Sequence, residues 1–402
     1  STRVRSSAAS DVYKRQIVKR EEERKMDEPI RVLNVTRVFN AAGIESFIMN
    51  MYRNIDRSKV QFDFLVMSDE KSCYEDEIKV LGGKKYTINV KEDNTFLRIQ
   101  KESFELYKFL LAHKYEIVHV HYTTPLRAPY LLAAKKAKVP VRIYHSHSAV
   151  VSGKSKGKLL ICNYYKNKLS KWATNWFACS KAAAEWMYKD ELISAGKVQI
   201  IYNGIDVRRF KYRQDMRDKL RKVLDLEQNF VIMHTGRFLP QKNHTFIIDV
   251  FSEIKKRDST AKLILLGEGS LQEPMQKKVL DLGLREDVVF MGVKKNVEDY
   301  LSFADCYIMP SLYEGLPVAA VEAECSGLPC VMSSNITREV ELTPNAIFLS
   351  LDKPAEYWAT EILKTKKINR MDGSKDVAQA GYDVKDVARM LQDQYIEMVR
   401  KG

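Results

Sequence analysis

From residue 30 onward, short runs rich in Val, Ile and Phe alternate with longer amphipathic stretches, and the alternation starts afresh near residue 230. Segments 31–38, 62–67, 117–121, 141–145 and 176–179 read as strands, with helical spacing over 45–54, 73–81, 96–113 and 125–137 between them. After the restart, 230–235, 261–266, 288–290, 306–309 and 330–332 are strand-like, and 243–256, 270–282, 297–303 and 317–325 are helical. Strands separated by helices are joined by crossovers, so the sheets are parallel and covered on both faces. The expectation is an α/β chain of two doubly wound, Rossmann-like domains with a cleft between them. The join falls around 207–222, after the Asn203-Gly204 turn, where charged residues replace the apolar strand 198–202. This gives a first domain at 26–206, a second at 207–380 and a terminal segment at 381–402. The amphipathic helix in that last segment, 384–398, is free to pack back on the first domain.

With 402 residues, 45% of them hydrophobic, the chain can bury two cores. Its net charge is +14, of which residues 1–25 supply +4, and this basic, aperiodic stretch reads as a non-native or disordered extension outside the fold. The surplus favours anionic partners: nucleotide phosphates, nucleic acid or acidic lipid headgroups. No RNA-binding signature is present, so nucleic acid is not expected. Six scattered cysteines without a CxxC pair argue against a disulfide framework or a thiolate zinc cluster, and suit a reducing, cytoplasmic compartment. No apolar run is long enough to cross a bilayer, and the basic N-terminus lacks a secretory core.

In open α/β sheets ligands bind beyond the carboxyl ends of the strands. Four groups of residues stand there. Glu314 and Glu322 flank the start of a helix opened by Pro317, where two acids can address one polyhydroxylated ligand and free N–H groups its phosphate. Gly236 lets the strand turn sharply, and Arg237 and Lys242 place two cations around a diphosphate that gains charge as it leaves. The alternative for both is ordinary solvated surface. His119 with His121, and His145 with His147, each sit two apart and so share a sheet face. They can bind sugar hydroxyls or phosphate, serve as core histidines, or hold a metal, although no carboxylate or thiolate neighbours them in sequence. Gly43 opens the first helix, Gly267 follows the strand at 261–266, and Gly292 ends the strand at 288–290, each able to bring backbone close to a nucleoside. The chain has no GxxxxGK[ST], which argues against a P-loop phosphotransferase, and no Asp-x-Asp, so no metal site is expected.

The segments RVLNVTRVFNAAGIE, EIVHVH, IYHSHS, FACSKAAAEWMY, IIYNGID, HTGRFLPQKNH, LILLGEGS, VVFMGV and PSLYEGLPVAAVEAECSGLPCV, in this order, resemble the retaining glycosyltransferases of family 4 with the GT-B fold. The resemblance is to the branch associated with bacterial exopolysaccharide and capsule synthesis, and it spans about 30–398. It implies an acceptor-side first domain and a second domain that binds a nucleotide-sugar donor, expected to be a UDP-sugar, as substrate with no further cofactor. It places Glu314 at the donor sugar, Glu322 at the ribose, Arg237 and Lys242 at the phosphates, and Met291 or Val293 at the base. Gly43 faces the diphosphate, Gly236, Gly267, Gly292, Gly315, Leu316 and Val318 complete the donor site, and either His147 or His145 contacts the sugar. Where the family often has a glycine pair, this chain has Ala42-Gly43.

The implied reaction is transfer with retention and without a metal, by front-face attack of an acceptor hydroxyl whose proton goes to the donor phosphate. The acceptor is expected to be a saccharide or a polyprenyl-linked saccharide. Residues 153–172 mix six lysines with Leu159, Leu160, Ile161, Tyr164, Tyr165 and Trp172, the make-up of a helix lying on an anionic membrane surface or of a solvated helix with one apolar side. Such a helix would place the protein on the inner face of the plasma membrane. Two competing readings are a metal-dependent hydrolase built on His119, His121, His145 and His147, and a non-catalytic nucleotide-sugar-binding protein.

Overall fold

The computed structural model describes residues 28–39, 43–70, 72–147 and 156–401; the extension read at 1–25, Ala42 and Lys154 lie outside them. The first unit runs β1 (Ile30–Thr36), α1 (Gly43–Asn54), β2 (Val60–Val66), α2 (Glu75–Val80), β3 (Lys85–Thr87), α3 (Thr95–Ala112) and β4 (Ile117–Tyr122). It continues through α4 (Pro129–Lys136), β5 (Val141–Ser146), α5 (Lys156–Trp172), β6 (Asn175–Ala178), α6 (Lys181–Met187), α7 (Asp190–Ser194) and β7 (Val198–Ile200). Its strands are parallel in the order β3-β2-β1-β4-β5-β6-β7.

The second unit runs α8 (Gln214–Val223), β8 (Val231–Thr235), α9 (His244–Lys255), β9 (Lys262–Leu266), α10 (Gln272–Asp281), β10 (Val288–Gly292) and α11 (Val297–Phe303). β11 (Cys306–Met309), α12 (Val318–Cys325), β12 (Cys330–Ser333), β13 (Ala346–Leu349), α13 (Ala355–Lys364) and α14 (Ser374–Val377) follow, before α15 (Val384–Lys401). Its parallel order is β10-β9-β8-β11-β12-β13. Both sheets are therefore doubly wound and reverse direction once, between β1 and β4 and between β8 and β11. A crevice opens at the carboxyl ends of the strands at each reversal.

The central strands are near-continuous apolar runs because helices cover both faces: Val32, Leu33 and Val35 on β1 and Leu263, Ile264 and Leu265 on β9 are fully buried. Helix α15 crosses back to the first unit, where Val387, Leu391 and Tyr395 complete the core under α1. The crossing is tight. Ile205 N–H donates to Tyr382 O (2.8 Å) and Val384 N–H to Ile205 O (2.9 Å), with Gly204 packed on the Val384 backbone. A second bridge joins the units where both oxygens of Glu339 accept from Lys181 N–H at 3.0 Å.

Three segments differ from expectation. Much of 207–222 is helix α8, anchored through Arg217 and Arg221 on Asp305 rather than lying open as a linker. The helix expected over 125–137 is broken into a 3-10 turn, Pro125–Arg127, and α4, because Pro129 starts a new helix without an N–H to continue the old one. β13 is a four-residue edge strand whose half-buried side chains carry no clear alternation.

Candidate functional site

Site residues of the second unit gather at the β8/β11 reversal. Gly236 leaves β8 with its N–H on Leu266 O (2.9 Å), and Asn243, in the left-handed region at φ 56°, turns the chain into α9. The loop between them is stitched to the loop after β11. Leu312 N–H donates to Gln241 O at 2.9 Å, Asn243 Nδ2 to Pro310 O at 3.2 Å, and Gln241 Nε2 to both Tyr313 O and Glu314 Oε2 at 2.9 Å. Lys242 Nζ lies 2.7 Å from Glu314 Oε1. The cation assigned to phosphate and the acid assigned to sugar thus form one ion pair, with the amide of Gln241 fixing the carboxylate from its other side. Arg237 is exposed beside them.

The adjoining loops approach as closely as backbone allows. Gly267 has φ +129°, and a Cβ there would overlap the carbonyl oxygen of Gly236, so only glycine fits. Its N–H donates to Gly292 O at 2.9 Å, which aligns the end of β10, with half-buried Met291 and exposed Val293, beside the end of β9.

Pro317 caps α12 and Val318 begins it, so Glu322 sits about a turn and a half inside, as the spacing predicts. Glu322 and Val318 line a cavity of about 440 Å³ that reaches across both units, with Asn50, Arg53 and Asn54 of α1 opposite Arg209. Glu314 is not part of that lining; the two acids hold adjoining places rather than one. Burial pushes the Glu322 carboxyl up to about 8; Arg209 opposes this and Glu298 adds to it. A protonated Glu322 can donate as well as accept. Gly315 and Leu316 are half-buried between the two acids.

In the first unit the four histidines meet on one face of β4 and β5. Ring centres are 3.9 Å apart for His119 and His121, 5.4 Å for His121 and His145, and 4.1 Å for His145 and His147, with Phe47 edge-on to His145 at 5.1 Å. His119 Nδ1 is 2.7 Å from Tyr395 OH on α15, His121 Nε2 is 3.0 Å from Asn34 Oδ1, and His121 Nδ1 is 3.0 Å from His147 Nε2. Burial holds His119, His121 and His145 well below the ordinary imidazole range and His147 down to about 3, so all four are neutral. His145 is fully buried; His147, beyond the end of β5, is only partly so. His119, His121 and His145 can bring ligand nitrogens within 4.8 Å of one another, but no carboxylate or thiolate joins this group among the described residues to offset a divalent charge in so buried a place. Gly43 opens α1 with nothing within 4 Å of where a Cβ would stand.

Sequence reasoning passed over Gln241, Arg209 and Tyr395. Gln241 lies inside the loop already singled out, and only its partners distinguish it. Arg209 sits in the charged stretch read as a join, and Tyr395 is 276 residues from the histidine it meets.

A family described as Glycosyltransferase Family 4 matches residues 41–209, and one described as Glycosyl transferases group 1 matches residues 216–364. Over 378 residues the chain is 31% identical to the putative glycosyltransferase EpsF of Bacillus subtilis (strain 168), spanning 91% of this chain and 96% of that protein. It is 28% identical over 245 residues to the UDP-Gal:alpha-D-GlcNAc-diphosphoundecaprenol alpha-1,3-galactosyltransferase of Escherichia coli, spanning 60% of this chain and 63% of that one. The crystal structure of Anabaena Alr3699/HepE in complex with UDP superposes with a TM-score of 0.74 at 19% identity, over 92% of this chain and 100% of that chain, a likeness of fold.

Proposed function

The chain belongs to the family 4 glycosyltransferases, with the GT-B fold, and from that premise we propose that it moves a hexose from a UDP-sugar to a lipid-linked saccharide, with retention, in the assembly of a bacterial surface polysaccharide. The observation that supports the reading is the Gln241–Glu314–Lys242 cluster at the β8/β11 reversal, an acid and a cation held rigidly beyond the carboxyl ends of the strands, where open α/β sheets bind ligands. The acceptor class is supported by the E. coli relative, whose name specifies a diphosphoundecaprenol-linked sugar.

In this reading the bond from the anomeric carbon to the phosphate oxygen breaks, with its electron pair going to the diphosphate. The acceptor oxygen attacks the same face and its proton passes to the departing phosphate. Arg237 and Lys242 stabilise the charge that develops on the diphosphate. Glu314 and Glu322 hold hydroxyls of the sugar and the ribose, Met291 and Val293 border the base, and neutral His147 offers a hydrogen bond to the sugar from the facing wall. The absence of an Asp-x-Asp sequence, together with the two cations in the phosphate loop, supports a reaction that needs no metal.

The test is transfer from a panel of nucleotide sugars to a polyprenyl-diphosphate-linked saccharide, with and without chelator, and anomeric configuration read by proton coupling constants. UDP-sugars are expected to react, to raise the melting temperature by mass action and to give an axial product from an axial donor. An inverted product, loss of activity on chelation, or a covalent sugar adduct on Glu314 overturns the mechanism.

A further inference from the structure

A cavity of about 390 Å³ opens in the second unit, at the end of the sheet opposite the candidate site. Phe230, Asp305 and Pro329, the residues just before β8, β11 and β12, line it, so it stands at the amino ends of the strands. None of the donor-site residues borders it. Its guanidinium groups come from two directions, Arg217 and Arg221 from α8 and Arg370 from the segment between α13 and α14.

Three cations share one carboxylate here. Arg217 and Arg221 both pair with Asp305. Arg370 has no acid partner among the described residues: its donors go to Leu301 O, Ser302 O and Ala304 O at the end of α11, and to the carbonyl and hydroxyl of Ser326 at the end of α12. Helix C-termini offer only partial charge, about half a unit each, so about one positive charge in the cluster stays unbalanced. Lys366 borders the same cavity but is paired with Asp258, and Glu227 is exposed, where salt screens it. Burial, with the like charge of Arg217 added, pulls the Arg370 guanidinium down to about 9 against the opposing effects of Tyr212 and Asp305. A charge taken out of water is ordinarily met by an opposite one. Donors are also left over. Arg217 Nε, and one Nη2 proton on each of Arg217 and Arg221, have no acceptor among the described residues.

We infer that this cavity is a second binding site, for a small phosphate ester, with the phosphate on Arg217, Arg221 and Arg370 and the hydroxylated remainder toward Gln228 and Thr260. Guanidinium forks match phosphate oxygens, and Gln228 and Thr260 are exposed polar residues of the same cavity, suited to hydroxyls. The volume is at the lower end of what holds a small molecule, and larger than a lone phosphate needs. Arg370 ties the ends of α11 and α12 together, so the bound anion acts at the far end of the helix that carries Glu322. The site lies apart from the donor cleft and goes beyond the proposed reaction.

The experiment is calorimetric and thermal titration of the full chain with a hexose phosphate, inorganic phosphate and the unphosphorylated hexose, at matched ionic strength and with UDP in excess to fill the donor cleft. The hexose phosphate is expected to bind and to raise the melting temperature, inorganic phosphate to bind more weakly, and the hexose not at all. Arg217→Gln should weaken binding roughly tenfold, because it removes a charged donor while Asp305 keeps Arg221 and the N–H of Val231. Gln228→Glu changes an exposed side chain, leaves the fold intact and should weaken binding about fivefold at low salt. Hydrogen exchange at 301–304 and 326–328 should slow when the hexose phosphate binds. Absence of binding by either phosphate, wild-type affinity in both variants, or displacement of the hexose phosphate by UDP overturns the site. Binding of the hexose phosphate by a chain that takes up no UDP leaves the site standing and instead defeats the proposed donor.

Discussion

The two walls of the cleft are made of opposite materials. The first domain presents neutral, partly exposed His147 backed by buried His119, His121 and His145 among Phe47, Phe177 and Tyr395; half of the imidazole nitrogens meet one another, Asn34 or Tyr395, and the other half have no partner among the described residues. The second presents Arg237, an ion pair and a half-buried acid on loops sewn together through Gln241. A neutral, polar wall can exchange hydrogen bonds with hydroxyls without moving net charge out of water. A wall of fixed charges is suited to a group whose own charge changes during reaction. In the proposed reaction the second domain therefore meets the developing charge as well as hydroxyls of the donor, and the first adds only neutral hydrogen bonding through His147.

The sharpest way to break this comparison is to remove charge from one wall and a hydrogen bond from the other. Arg237→Ala should slow turnover at saturating donor roughly a hundredfold or more, ~3–4 kcal/mol in the barrier, with no change in melting temperature because the side chain is exposed. Lys242→Met should slow it as much but also lower stability, since it strands the Glu314 carboxylate; Lys242→Met/Glu314→Gln should recover stability without recovering rate. His147→Ala, which removes a neutral donor, should cost much less in rate. If the histidine variant were the slower enzyme, the assignment of charge work to the second domain would be wrong.

A second contrast lies in pH. Buried histidines have folded-state pKa values below their unfolded ones, so the stability they contribute is present above about 6.5 and is lost as pH falls toward the folded values. Glu322 and Glu324 run the other way. Burial raises them to about 8 and about 7, so stability present below about 4.5 is lost as pH rises through 7 to 8. Hydrogen exchange followed by peptide should show β4, β5 and α15 loosening first in acid, and α12 with Leu342 and Thr343, whose amides donate to Glu324, loosening first in mild base. Glu322→Gln should flatten the alkaline limb and leave the acid limb untouched. A single limb shared by both domains would erase the contrast. His234 and His244 lie in the second domain and are also held low, which predicts a smaller acid response there.

Much of this was legible in the sequence because the relevant signals are local. Alternating strands and helices gave both sheets, and the residues just past β8 and β11 were marked by position alone. The turn and a half from Pro317 to Glu322 follows from helix geometry. What stayed hidden depends on distant pairings. No spacing rule links Gln241 to Glu314 across 73 residues, Lys181 to Glu339 across 158, or Tyr395 to His119 across 276. The exposure of Phe96 and Phe104 on α3 stayed hidden for a related reason: at helical spacing they look like ordinary core positions until the fold turns them outward.

The smallest effect examines the seam between the C-terminal helix and the histidine wall. Tyr395→Phe keeps the ring and its packing against Phe62 while leaving His119 Nδ1 without its partner at 2.7 Å. An unmet buried hydrogen bond of this kind costs about 1–3 kcal/mol, to be read as a shift in denaturant midpoint at constant m-value. Turnover should not change, because His119 lies behind His121 and His147 rather than at the cleft, and the charged wall is untouched. A fall in kcat with unchanged stability would mean that α15 transmits to the chemistry through the histidine stack, and the neutral wall would then be more than a surface for hydroxyls.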